Sequence, residues 1–249
     1  MNAELEIQAP VVVEMTASTL TLNLLQRFIL RSQGESIWLP LVAQRLIAFL
    51  ALRDRPEPRM HIAGILWPDA DDHHASANLR STLWRIGQTR LPLLSSTDGA
   101  LGLRPDMTID LRNAYSLAHA LLDPATPLGD LRLGSASCLR EDILPCWCED
   151  WVLIERERFR QVRLHALETL CYRLADDGQI SEAIETGLAA VASEPLRESA
   201  HRALIKVHLL EGNRVEAVRQ FTACKNILRE ELGVDPSAEL SEAIGAMAR

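Results

Sequence analysis

A chain of 249 residues with 47% hydrophobic and 24% charged residues has room for two cores and is too apolar to be mainly disordered. Its net charge of −8 excludes a uniformly basic nucleic-acid-binding chain, but the acidity is uneven: residues 1–125 hold 11 Arg, no Lys and 13 Asp plus Glu, and residues 126–249 hold 15 basic and 21 acidic residues. No apolar run approaches a membrane span, and the opening MNAELEIQAP is acidic and lacks a basic segment before an apolar one, so neither a secretory signal nor a membrane anchor is expected, and the expected location is cytoplasmic.

In chain order, residues 19–39, TLTLNLLQRFILRSQGESIWL, are rich in aliphatic and branched residues with a polar break at Arg31 to Ser36, which predicts strands of an antiparallel sheet. Residues 39–54 predict a helix with Leu46, Phe49 and Leu50 inward, closed by Pro56 and Pro58. Ile62, Ile65 and Leu66 then recur at i, i+3 and i+4, and Pro68 ends that helix at Trp67. Asp69, Asp71 and Asp72 supply oxygens for a new N-terminus, and Ala75, Leu79, Leu83 and Ile86 form one buried stripe of a helix from about His74 to Arg90. This is the order of a helix-turn-helix. Its outward face is predicted to carry Asn78, Arg80, Ser81, Thr82, Arg85, Gln88 and Thr89, donors and acceptors suited to phosphates and base edges; Trp84, one residue from the stripe, is read as partly buried in preference to contacting DNA. Asp98-Gly99 between two apolar runs predicts a type I′ hairpin, a wing directly after the recognition helix. Residues 108–122 read as a short strand and a helix, and the Pro-, Gly- and Ser-rich residues 123–137 as a linker or exposed connection, which puts the domain boundary near Asp123.

Beyond it, residues 151–175 form one long amphipathic pattern with Phe159, Val162, Ala166, Thr169 and Leu170 close to one side. Two later segments repeat: Gly178 aligns with Gly212, Glu182 with Glu216 and Ala183 with Ala217, each 34 residues apart, the tetratricopeptide period, with Pro195 opening the helix between them. The five cysteines, Cys138, Cys146, Cys148, Cys171 and Cys224, lack disulfide or metal spacing and read as structural thiols. His73 and His74 are adjacent on a helix start, about 100° apart, so with Asp69, Asp71 and Asp72 they are expected to cap and solvate rather than converge on a metal. Glu155, Glu157, Glu182, Glu230 and Glu231 lie beside arginines as solvated ion-pair faces. There is no GxxxxGK[ST], GxSxG, HExxH or GxGxxG, so no enzyme, cofactor or metal is expected.

Several of these pieces also carry a resemblance. WLPLVAQRLIAFLAL (38–52), ILWPDAD (65–71), ANLRSTLWRI (77–86) and TDGALGLRP (97–105) resemble the OmpR-like winged-helix domain of the Streptomyces antibiotic regulatory protein family. ILPCWCEDWVLIERERFRQ (143–161) and LREELGVDPSAEL (228–240) resemble that family's bacterial transcriptional activator domain. The expected fold is mainly α with a smaller β component: a winged helix-turn-helix over 1–123 and a tetratricopeptide-like helical domain over 124–249, the two packed on each other. The resemblance implies a transcriptional activator of a bacterial secondary-metabolite gene cluster, nucleoid-associated when bound. It implies binding to promoter direct repeats in double-stranded DNA as a homodimer or as tandem protomers. The helix from about His74 to Arg90 would enter the major groove with Arg80, Ser81, Thr82, Arg85 and Gln88 outward, and the hairpin around Asp98 and Gly99 would lie near the adjacent minor groove and backbone. The turn from Pro68 to His74 resembles the loop that OmpR-like proteins offer to RNA polymerase, which makes Asp69, Asp71, Asp72 and His73 the candidate contacts. The family commonly continues its recognition helix with basic residues, whereas Gly87, Gln88 and Thr89 stand here. A non-enzymatic adaptor that binds another regulator through its helical repeats is the alternative.

Overall fold

The computed structural model describes residues 20–130 and 133–245; the N-terminal decapeptide and Thr19 lie outside them. Strands β1 (Leu20–Asn23), β2 (Ile29–Ser32) and β3 (Glu35–Ile37) form the predicted antiparallel meander. The polar break becomes a tight turn with Gln33 and Gly34 at φ of 54° and 87°. A second break, unforeseen, interrupts the apolar run at residues 24–28, where Gln26 takes φ of 66°. Helix α1 (Leu41–Arg53) follows, buried at Ala43 and continuously from Leu46 to Ala51. That is nearly all-round burial, because α1 touches α2 (Arg59–Leu66), α3 (Asp72–Gly87), the wing strand β6 (Ala100–Leu103) and the later α5 (Asp150–Asp176).

Between α1 and α2, the two-residue β4 (Glu57–Pro58) pairs with β6, and β6 pairs with β5 (Leu94–Thr97), so the wing is a three-stranded sheet in the order β4-β6-β5. Strand β7 (Thr108–Ile109) lies parallel to β1 and completes a four-stranded sheet in the order β3-β2-β1-β7. Helix α4 (Asp110–Leu122) begins on it, and the Asp110 carboxylate accepts from the Leu24 and Leu25 amides at 2.8 and 3.1 Å. One carboxylate thus satisfies backbone donors that the end of β1 would otherwise leave free.

The expected linker is more structured than its composition suggests. It contains a 3-10 turn at Leu128–Asp130 and the start of another at Leu133–Arg140, and just past its end Leu139 is fully buried between α4 and α5. Helix α5 is 27 residues long and supplies two cores. Trp151, Val152 and Phe159 belong to the winged-helix core, which also contains Ile143 and Leu144. Leu167, Leu170 and Leu174 pack with α4, α6 (Ile180–Ser193) and α7 (Glu198–Leu210) in a second cluster. Its buried surface is therefore wider than the single predicted stripe, and Glu155, expected on a solvated face, is buried beside Arg53 and Arg158 at 3.6 and 2.9 Å.

The repeat signal has a direct structural counterpart. Gly178 and Gly212 end α5 and α7 with φ of 80° and 83°. The Gly178 and Gln179 amides donate to Ala175 and Leu174, and 34 residues on the Gly212 and Asn213 amides donate to Leu209 and His208. Ala183 and Ala217 are both fully buried on α6 and α8 (Arg214–Leu232), where a larger side chain would separate paired helices. Helix α7 starts at Glu198, three residues after Pro195, and α9 (Ala238–Gly245) packs on α8. Among the described residues no helix is long and apolar enough to cross a membrane.

Candidate nucleic-acid interface

Helix α3 is held from three directions. Its N-terminus is capped by Asp71, whose Oδ1 accepts from the His74 amide at 2.8 Å. Its inner stripe of Ala75, Leu79 and Ile86 is buried against α1 and α2. Behind it, Arg45 on α1 donates to the Leu66 carbonyl at the end of α2 and pairs with Glu149, just before α5, at 2.9 Å. The turn between α2 and α3 is thereby tied to the C-terminal half.

Most of the predicted outward face is outward. Asn78, Arg80, Ser81, Arg85 and Gln88 are exposed, and neither Arg80 nor Arg85 has an ion-pair partner among the described residues. Thr82 is a correction. It is 2% exposed, and its hydroxyl donates to the Asn78 carbonyl at 2.8 Å. Four residues advance a helix by about 40° beyond one turn, so Thr82 sits beside Ile86 in the inward sector. Thr89 is half-buried, beyond the end of α3, with its hydroxyl donating to the Ile86 carbonyl and accepting from the Leu91 amide, so it closes the helix end. The helix stops at Gly87, not Arg90.

Trp84 is the residue that sequence reasoning misplaced in the other direction. It is 66% exposed, against the expected partial burial. Its spacing of four from Arg80 was the available signal, since it puts the indole on the arginine face. Asp98 and Gly99 form the exposed tip of the β5–β6 hairpin with φ of 51° and 80°, both positive as a type I′ turn requires. The face offers two guanidiniums without an ion-pair partner among the described residues, polar hydrogen-bonding groups and one exposed aromatic, and the β5–β6 hairpin follows it in the chain.

The acidic turn is exposed at Asp69, Asp71, Asp72 and His73. Hydrogen bonds from the His74 amide and ring hold the Asp71 carboxyl below its ordinary value. The two histidines do not diverge as the backbone angle suggested. The His74 Nδ1 turns back to within 2.8 Å of both Asp71 oxygens, the two imidazoles meet edge to face at 5.5 Å, and ligand atoms of Asp71, His73 and His74 lie within 4.8 Å of one another. Rotamer freedom on an open surface overrides the helical offset, and the cap accounts for the positions of Asp71 and His74. The cysteines divide as well: Cys171 and Cys224 are buried, Cys138 is half-buried, and Cys146 and Cys148 are exposed, so the structural-thiol reading fails for the last two.

Residues 136–247 match the family model for the bacterial transcriptional activator domain. The regulatory protein AfsR of Streptomyces coelicolor is 29% identical over 226 residues, 84% of this chain and 22% of AfsR. AfsR of Streptomyces griseus is 28% identical over 210 residues, 79% of this chain and 21% of that protein. The chain thus spans about a fifth of the length of these relatives. The solved structure of Mycobacterium tuberculosis EmbR in complex with a low-affinity phosphopeptide aligns with a TM-score of 0.63 at 19% identity, covering 93% of this chain and 65% of EmbR, and shares the fold.

Proposed function

We propose, because the chain belongs to the Streptomyces antibiotic regulatory protein family, that it is a sequence-specific DNA-binding activator of transcription for a bacterial secondary-metabolite gene cluster. Its matched relatives are regulatory proteins. The observation that carries the DNA-binding reading is α3: an exposed face on which Arg80 and Arg85 have no ion-pair partner among the described residues, backed by a packed core and followed in the chain by the β5–β6 hairpin. In this reading α3 enters the major groove, Arg85 is placed for a guanine edge and Arg80 for a phosphate, and the Asp98-Gly99 tip lies against the neighbouring backbone. Ser81, Asn78, Trp84 and Gln88 complete the contact face, while Thr82 and Thr89 support it from within.

The C-terminal helices assemble protomers on direct repeats, with half-sites about 10 to 10.5 base pairs apart so that successive recognition helices face one side of the duplex. The exposed Asp69, Asp71, Asp72 and His73 offer an acidic patch to RNA polymerase. Chemistry on a substrate is not part of this reading. Selection of bound duplexes from a random-sequence pool by the full chain tests it. Enrichment of a repeated motif supports the activator, and failure to enrich any sequence at low salt supports the adaptor.

A further inference from the structure

In the C-terminal half one buried arginine has no ion-pair partner among the described residues. Arg163 on α5 is 5% exposed. Its Nη1 makes a long hydrogen bond of 3.4 Å to the Leu139 carbonyl, and its Nε is shielded from solvent with no acceptor among the described residues. Burial lowers the pKa of this guanidinium, opposed first by the charge of Asp142 and more weakly by Glu194 and Glu141, while Arg160 adds repulsion. A buried cation so weakly compensated is costly unless something completes its shell.

Arg163 lines a groove of about 530 Å³ between the 133–140 turn and the α5–α6 hairpin, a volume in the range of small-molecule sites. Arg140, exposed and without an ion-pair partner among the described residues, faces the same groove, and Leu188, Ala189 and Ala192 give it an apolar wall. The neighbouring Arg160 is committed to Glu157 and Glu194. The free positive charge of the groove therefore comes from Arg140 and Arg163. Glu185 also lines it, so an anion in the groove meets a mixed field, which disfavours a dianion more than a monoanion.

We propose that this groove binds a small organic acid, with its single carboxylate received by Arg140 and by the part of the Arg163 guanidinium that lines the groove, and its apolar body lying on Leu188, Ala189 and Ala192. A planar guanidinium fork matches a carboxylate, and the apolar wall rewards a hydrocarbon body that inorganic anions lack. Calorimetric titration of the full chain with octanoate, and with inorganic phosphate as the comparison, tests it. Octanoate should bind saturably at one site, and phosphate at least about tenfold more weakly. Arg140→Gln changes an exposed side chain and should leave the fold intact while weakening octanoate about tenfold. Ala192→Trp fills the groove without altering charge and should abolish binding. Absence of saturable octanoate binding, equal affinity for phosphate, or unchanged octanoate affinity in either variant would overturn the proposal.

Discussion

Arg85 and Thr82 are three residues apart on one helix, and one is exposed while the other is buried. Residue type did not separate them, since both can meet DNA; angular position did. Thr82 falls beside Ile86 and spends its hydroxyl on its own helix. The same reasoning applies to Asp71, which closes the start of α3. Asp71→Ala should lower the melting temperature of the full chain, and because the folded carboxyl lies below its ordinary value, that difference should be complete at neutral pH and fade as the pH falls through the folded-state pKa. An unchanged melting temperature at pH 7 would show that the cap contributes nothing. The cysteines give a second test. Burial pushes Cys171 up to about 12 and Cys224 to about 11, whereas Cys146 and Cys148 are exposed. Ellman's reagent should therefore titrate Cys146 and Cys148 rapidly in the native protein, Cys138 more slowly, and Cys171 and Cys224 only on unfolding. Rapid reaction of all five would contradict the packing of α5 and α8.

Glycine has opposite roles in different elements. Gly212 ends α7 in the left-handed region, where any other L-residue is strained, so Gly212→Ala should cost about 1 to 2 kcal/mol. Gly64 sits within α2 in open space, and Gly64→Ala should add roughly 0.5 to 1 kcal/mol by helix propensity alone. Urea titrations of the two variants check the signs, and the same sign for both would refute the distinction. Elements of this kind were legible in the sequence because their cause is local. Pro68, the Asp98-Gly99 pair, the 34-residue glycine spacing and the i, i+4 stripe of α3 each act over a few residues. What escaped reading depends on distant partners. Strand β4 is two residues long and exists only because β6 lies beside it. Segment 123–137 has the composition of a connection, yet the 3-10 turn that begins in it runs on to Leu139, which is buried because α4 and α5 close over it. The candidate DNA face was mostly legible, and it was blurred only at its edges, at Thr82, Trp84 and Thr89, where a few tens of degrees decide between core and solvent.

At the scale of the whole molecule, the winged helix and the helical domain share α5. Phe49 of α1 meets Trp151 edge to face at 5.5 Å, and Tyr115 of α4 meets Phe159 at 5.1 Å. Arg156 donates to the Ile143, Leu144 and Trp147 carbonyls and fixes the segment that bridges to Leu25. Phe159→Ala should destabilise the full chain by about 3 to 5 kcal/mol and lower the temperature at which the winged helix melts, although the substitution lies outside it. Loss of helical-domain signal alone, with the winged helix melting as in the wild type, would show that the shared core does not couple them. This coupling also bears on DNA binding, since the chain carries its acidity mainly after residue 125 and presents few unpaired cations on α3, so a rigid and repeated placement of that helix has to compensate for modest phosphate attraction. The central claim is that the exposed face of α3 reads DNA, and fluorescence anisotropy of the full chain on a duplex recovered by selection, at fixed salt, tests it most directly. Arg85→Ala should weaken binding by on the order of 1 to 3 kcal/mol and relax the preference at one base position, with helical content unchanged. Wild-type affinity and selectivity in that variant would contradict the account.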